Sequence, residues 1–219
     1  MIDQAVARPP GLPLAKAICA FHERALAQAG WPAPADAAAD ALAVSMDAAP
    51  GLAAELLANH RFNSQLWAEE DLARRRDVPD AEIAANKRAI DGFNQRRNDA
   101  IERIDEHLLA MMEAARDSRA PTGRLNSETA GSICDRLSII SLKIRAMREQ
   151  TQRADASAEH RAQCAARLDR LTQQRDDLAN CFDELVIDTL AGQAQWRIYR
   201  QFKMYNDPTL NPYLYRKGA

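Results

Sequence analysis

The sequence predicts an all-α protein: a single-domain bundle of about five to six helices, with long antiparallel members and a structured C-terminal tail. Three observations predict it. Alanine is abundant while Val and Thr are sparse, and unbranched side chains lose little rotamer freedom in a helix. Gly contributes only 8 of 219 residues, too few for the tight hairpins of a sheet protein. The hydrophobic residues, 47% of the chain, recur with helical spacing over long stretches. One well-filled core suffices at this length, and no internal repeat or low-complexity tract marks a domain boundary.

Residues 1–13 are Pro-rich and read as a loose arm, leaving 14–219 as the bundle. A first helix is expected over 14–28, amphipathic through Leu14, Ile18, Phe21 and Leu26, with Gly30 placed to end it. The prolines of Trp31–Pro34 make a connector, because each disfavours the helical region for the residue before it. A weaker Ala-rich helix follows over 35–47. The third spans 51–75. The turn at Asp77–Asp80 then opens a much longer helix to residue 115, with Pro79 suited to its first turn. Pro121 and Gly123 mark 116–125 as a loop. Asn126 and Ser127 are the expected caps of a helix reaching 153. Another runs over 157–191 and stops near Gly192. A short helix is expected over 193–205, before an irregular tail with two prolines.

Composition excludes several classes. The formal charge of −2, with acids interspersed among the arginines, gives no global basic field for nucleic acid or an anionic membrane. Cys19, Cys134, Cys164 and Cys181 lack CxxC spacing, so a zinc site is disfavoured; the last three lie in apolar helical stretches and read as reduced packing residues. The N-terminus has no positive segment followed by an apolar run, and no window is long and apolar enough to cross a membrane, so the expected location is the cytoplasm.

The informative feature is polarity on faces that should be apolar. With Ile83 set at zero on the long helix, Ile90, Ile101, Leu108 and Met112 fall within about 20° of it. Asn94 lies about 20° away, Lys87 and Asp105 about 40°, and Asn98 about 60°. Arg97 sits at the other margin, and Asp91 and Glu102 flank the Asn98 side. On the preceding helix Asn63, Trp67, Glu70 and Arg74 share one face with Leu56 and Leu66, with Asp71 beside Glu70. On the next, Ser132, Arg136 and Lys143 edge the stripe of Ile133, Leu137, Ile140, Ile144 and Met147. Arg175 falls within the stripe of the helix after that.

An unpaired buried charge costs several kcal/mol, so these groups must meet one another, water or a ligand. The acids Glu70, Asp71, Asp91, Asp105 and Asp135, with the bases Arg74, Lys87, Arg97, Arg136, Lys143 and Arg175, suffice for an extended network. One reading is inter-helix ion pairs that fix register. The other is a pocket for a polar, anionic ligand, since Arg forks match phosphate or carboxylate and Asn and Asp suit hydroxyls. Glu102-x-x-Asp105, with Glu70 and Asp71, would supply hard oxygen ligands for Mg²⁺, although a lone ExxD is a weak signal among 31 acids. Of the isolated histidines, His60 alone approaches the polar face as a general base, while such a residue is more often a satisfied helix-surface histidine. Ser127 and Ser138 resemble caps or packing residues. The tail, 203–215, interleaves aromatics with Asn and Pro and is expected to fold back, with Lys203, Tyr205, Asn206 and Asn211 at one end of the polar site or in plain packing.

Four blocks carry a family resemblance: NSQLWAEEDLARR (Asn63 to Arg75), KRAIDGFNQRRNDAIERID (Lys87 to Asp105), NSETAGSICDRLSIISLK (Asn126 to Lys143) and QFKMYNDPTLNP (Gln201 to Pro212). Together, over 63–215, they resemble the bacterial domain-of-unknown-function family numbered 4254. The resemblance implies a helical protein often associated with glycosyltransferases and cell-surface polysaccharide synthesis, and brings no catalytic residues to carry over.

The expectation is therefore a polar intra-bundle site that binds or processes a phosphorylated sugar or sugar nucleotide. Glu70, Asp71, Asp91 and Asp105 would be metal or acid/base groups; Arg74, Lys87, Arg97, Arg136 and Lys143 would hold the anion. Asn63, Asn94 and Asn98 would orient the ligand, and Trp67 would stack on a ring. The alternative is a non-catalytic partner or scaffold subunit of a glycosyltransferase, with purely structural stripes. An all-α nucleotide pyrophosphohydrolase is disfavoured, because its doubled ExxE/ExxD pattern is missing.

Overall fold

The structure, a computed structural model, describes residues 8–33, 36–115, 123–202, 204 and 207–216. The bundle is all-α. Its elements are α1 (Ala15–Ala27), α2 (Asp36–Val44), α3 (Pro50–Leu72), α4 (Asp80–Ala115), β1 (Arg124–Leu125), α5 (Ala130–Thr151), α6 (Ala158–Leu190), β2 (Ala194–Gln195) and α7 (Pro212–Tyr215). Among the described residues no helix is long and apolar enough to cross a membrane.

α3 and α4 form an antiparallel hairpin, stitched by Glu55–Arg103, Glu69–Asn86 and Arg75–Glu82 contacts. Pro50 in the first turn of α3 loses nothing there, because the N–H it lacks has no helical acceptor at that position. α5 packs across the hairpin, and α6 runs back along α5. α1 lies over α5 and α6: Arg145 donates to the Leu26 carbonyl at 2.6 Å, and Asp183 accepts from the Ala15 N–H at 2.8 Å. Phe21, Leu52, Leu56, Ile104, Leu108, Met112, Leu137 and Phe182 fill the shared core. Each such side chain contributes about 1.5–3 kcal/mol by leaving water.

Of the expected arm, 1–7 lie outside the described residues, and over 8–13 the chain packs inward: Leu12 is 1% exposed and the Gly11 carbonyl accepts from Ala49 N–H at 2.8 Å. The start of α5 differs from expectation. Thr129, not Asn126 or Ser127, caps α5, its side chain accepting from Ser132 N–H at 3.1 Å. Asn126 is instead drawn into strand pairing, donating its N–H to the Gln195 carbonyl at 2.7 Å.

The helix expected over 193–205 does not form among its described residues. Gly192 takes a φ of 73°, ending α6, and β2 pairs in parallel with β1. Gly123 explains why the pairing is possible: a Cβ there would lie 2.1 Å from the Gln193 carbonyl carbon, so only glycine admits the close approach. Trp196 then turns into the core at 3% exposure, a stronger pull than the local helical pattern. Cys19, Cys134 and Cys164 are buried free thiols as packing residues should be, whereas Cys181 is exposed in the trench between α5 and α6. Lys203, Tyr205 and Asn206 lie outside the described residues; Asn211 caps α7, accepting from Tyr213 N–H at 2.9 Å.

Candidate functional site

The site begins with a carboxylate. Asp135, in the second turn of α5, is buried where α5 crosses the α3–α4 hairpin. Its Oδ1 accepts from Asn59 Nδ2 and from Asn63 Nδ2, both at 2.9 Å. Arg97 of α4 grips it with two N–H groups, Nε to Oδ1 at 2.8 Å and Nη2 to Oδ2 at 2.5 Å. The hydrogen bond that Arg97 donates to Asp135 raises the Arg97 pKa above its ordinary value, outweighing the opposing effect of burial.

Behind this pair the polar contacts continue inward. Asn63 Nδ2 also approaches Ser138 Oγ at 3.0 Å, and Ser138 Oγ lies 2.8 Å from His60 Nδ1. His60 stacks between the Trp31 ring, 5.2 Å away, and the His22 ring, 4.4 Å away. Trp31 donates to Ser64 Oγ, which donates in turn to the His60 carbonyl, both at 2.9 Å. Burial pushes His60 from 6.5 down to about 3 and His22 well below 6.5, so both rings are neutral at physiological pH. His60 is thus neither a surface residue nor a base facing the cleft: it is fully enclosed. The position 60 sits on the α3 face turned towards α1 and α5, and α1 covers it.

In front of Arg97 lies an open cleft of about 460 Å³. Asn63, Trp67, Glu70, Asp71 and Arg74 line it from α3, Asn94 and Arg97 from α4, and Leu66, Ile139 and Leu142 supply its apolar surface. Seven of the residues singled out in the sequence therefore meet here. Glu70 accepts from Arg74 at 2.6 Å at the solvent edge. Trp67 keeps 36% of its surface exposed, enough to offer a ring face.

The remaining candidates are elsewhere. Lys87 and Asp91 pair with each other at 3.0 Å with both side chains largely in water. Asn98 is half-buried on α4 but does not line the cleft. Arg136 holds Glu128 at 2.7 Å, and Arg136 and Lys143 line a separate trench between α5 and α6. Asp105 is buried against the start of α5, accepting Gly131 N–H at 2.7 Å. A Cβ on Gly131 would come within 2.8 Å of the Asp105 carboxylate, so glycine permits this contact. Burial raises the Asp105 pKa from 3.8 to about 6, against the hydrogen bond from Gly131 N–H and the nearby polar groups of Thr129 and Trp196.

The four candidate metal ligands are not brought together. Glu102 pairs with Arg200 at 2.7 Å, Asp105 faces α5, and Glu70 and Asp71 stand at the far end of the hairpin. The eleven-residue step from Asn94 to Asp105 covers about 16 Å of helix, too far for one coordination shell. Among the described residues no group of three His, Cys, Asp or Glu side chains could hold a metal ion.

A family model described as a protein of unknown function, DUF4254, matches residues 53–198. The chain belongs to this family. The DUF4254 match spans nearly all of α3 and the whole of α4, α5, α6 and the strand pair, and so contains every residue of the cleft and of the polar knot except Trp31 and His22. The block at 201–212 lies beyond it. No curated protein and no solved structure matches the chain.

Sequence reasoning counted Asp135 only as a network acid and gave Asn59 no role. The signal was present: Asn59 and Asn63 are one turn apart on α3, as Asp135 and Ser138 are on α5, so each pair shares a face.

Proposed function

We propose that the cleft between α3, α4 and α5 binds a phosphorylated sugar or sugar nucleotide, with Arg97 as its principal anion ligand. The observation that carries this reading is the seating of Arg97. Two of its N–H groups are fixed on a buried carboxylate, which leaves the other donors of a five-donor guanidinium in a set direction at the cleft. A pre-fixed fork loses little entropy when it takes a phosphate. Arg74 adds charge at the rim, Trp67 offers a stacking face, and Asn94, Glu70 and Asp71 suit hydroxyls. The resemblance to proteins associated with surface-glycan synthesis supports the sugar part of the ligand.

Thermal unfolding with uridine diphosphate glucose, glucose 1-phosphate and nucleoside triphosphates, with and without Mg²⁺, tests it. A ligand that binds only the folded state at a hundred times its Kd adds about 2.7 kcal/mol of stability. The shift should vanish in Arg97→Gln. No shift with any of these compounds rejects the reading.

A second reading, a non-catalytic partner of a glycosyltransferase, draws support from the tail. Tyr199, Phe202 and Tyr213 are 73%, 87% and 94% exposed, more aromatic surface than a free tail needs. Co-purification with a transferase that is lost on cutting after residue 198, with no effect of Arg97→Gln, would favour it.

A further inference from the structure

A second cleft, of about 440 Å³ and also lined by Trp67, lies between the C-terminal half of α5 and the N-terminal half of α6. Its character is opposite to that of the first. Ala146 and Met147 of α5 and Leu171 of α6 form its apolar floor, and Trp67 stands as its end wall. Lys143, Arg167 and Arg170 stand around it, and no carboxylate lines it.

The chain carries 31 acids against 29 bases. Among the described residues, Lys143, Arg167 and Arg170 form no ion pair. Three cations without a salt bridge among the described residues, around an apolar floor, give this cleft a local positive field. They stand in water, so keeping them unpaired costs the fold little. What they offer is charge complementarity to an anion whose remainder is apolar.

We propose that this cleft binds a monomeric anionic amphiphile, an alkyl chain ending in a phosphate or carboxylate. The chain lies along Ala146, Met147 and Leu171 and ends against Trp67, and the anionic end is held by Arg167 and Arg170 at the opposite end of the cleft from Lys143. The volume is that of a small-molecule site, within the range of about 300–1,000 Å³. On α5 its lining runs from Lys143 to Gln150, about 10 Å of helix, which suits a short chain better than a partner helix of several turns. The surface is concave, whereas a bilayer is met by a protruding amphipathic face. The site goes beyond the sugar-phosphate reading and does not rest on it: it shares the Trp67 wall with the first cleft but uses none of that cleft's anion ligands.

Trp67 supplies the readout. Decyl phosphate, titrated below its micelle concentration into the full chain, should quench or blue-shift Trp67 emission saturably with one molecule per chain, and Trp67→Phe should remove the change. Octyl phosphate should bind about tenfold more weakly, as two fewer buried methylenes require. Inorganic phosphate and decanol should each bind at least tenfold more weakly than decyl phosphate. Arg167→Glu/Arg170→Glu and, separately, Ala146→Trp should each weaken decyl phosphate at least tenfold, read by calorimetry. Arg167 and Arg170 are exposed and Ala146 half-buried at the surface, so circular dichroism should show both variants folded. Absence of saturable binding, decanol binding as tightly as decyl phosphate, or either variant binding like the parent overturns the proposal. So does capture by phosphatidylglycerol vesicles without binding of the monomer, which would make this a membrane face. Retention of decyl phosphate binding in Arg97→Gln separates this site from the first cleft.

Discussion

Two ion pairs of α4 invite comparison. Arg97–Asp135 and Lys87–Asp91 each have a base that falls on or beside the stripe of α4, and in sequence the two bases look alike. In the fold they are different objects. The Arg97 and Asp135 side chains are 25% and 4% exposed, joined across two helices and supported by two asparagines. The Lys87 and Asp91 side chains are 66% and 57% exposed, and their pairing is local. The difference teaches that a polar stripe acquires consequence only where another helix crosses it. α5 crosses α4 at Arg97 and leaves Lys87, nearly three turns away, in water.

The largest expected effect follows from breaking the buried pair. Asp135→Ala leaves a largely enclosed guanidinium and two buried asparagine amides without their acceptor. Such losses typically cost about 3–5 kcal/mol. Urea unfolding of the variant should show that drop, along with loss of any ligand-induced stabilisation at the cleft. A cost below about 1 kcal/mol would erase the distinction between the two pairs.

Next in size is the acid response of the knot behind Asp135. His22 and His60 are neutral in the fold because burial disfavours their charged forms. Their contribution is therefore complete above 6.5 and falls with pH below it, as the unfolded chain gains protons that the fold refuses; for His60 the fall continues to about 3. Each ring contributes a slope of about 1.4 kcal/mol per pH unit, so the two together approach about 3 kcal/mol between pH 6 and 5. Unfolding midpoints at those two values check it; equal midpoints would show the rings to be solvated.

Asp105 runs the other way and more weakly. Its folded pKa of about 6 lies above the ordinary 3.8, so its contribution is complete below 3.8 and is lost as pH rises to 6. One group gives at most about 1.4 kcal/mol per pH unit. Asp105→Asn should therefore gain on the parent protein as pH rises from 4 to 6, seen as a growing difference in midpoint. A difference that stays constant over that range would mean that Thr129, Gly131 and Trp196 hold the carboxylate at its ordinary pKa.

The bundle was legible because helical period and the scarcity of Gly act locally, and six helices fall close to where periodicity puts them. The segment after Gly192 was not, since its strand pairing depends on Gly123, some seventy residues earlier, and on a core slot for Trp196. The site divides in the same way. Asn63, Trp67, Glu70, Asp71 and Arg74 follow from one face of one helix, and Asn94 and Arg97 from the stripe of the next. Which acid of α5 would meet Arg97, and that α1 would enclose His60, depend on how the helices cross.

The smallest effect tests the exposed side of the comparison. Lys87 and Asp91 stand four residues apart in the order basic then acidic, the less favourable direction on a helix. Their charges are hydrated, so pairing replaces one good environment by another and confines two flexible side chains. A double-mutant cycle of Lys87→Ala and Asp91→Ala should give a coupling of no more than about 0.3 kcal/mol. That coupling should vanish at 1 M salt, where the Debye length is about 3 Å. Neither variant should alter ligand-induced stabilisation at the cleft, because neither residue lines it. A coupling above about 1 kcal/mol would require a second helix or a partner over Lys87, and the two pairs would then differ in degree and not in kind.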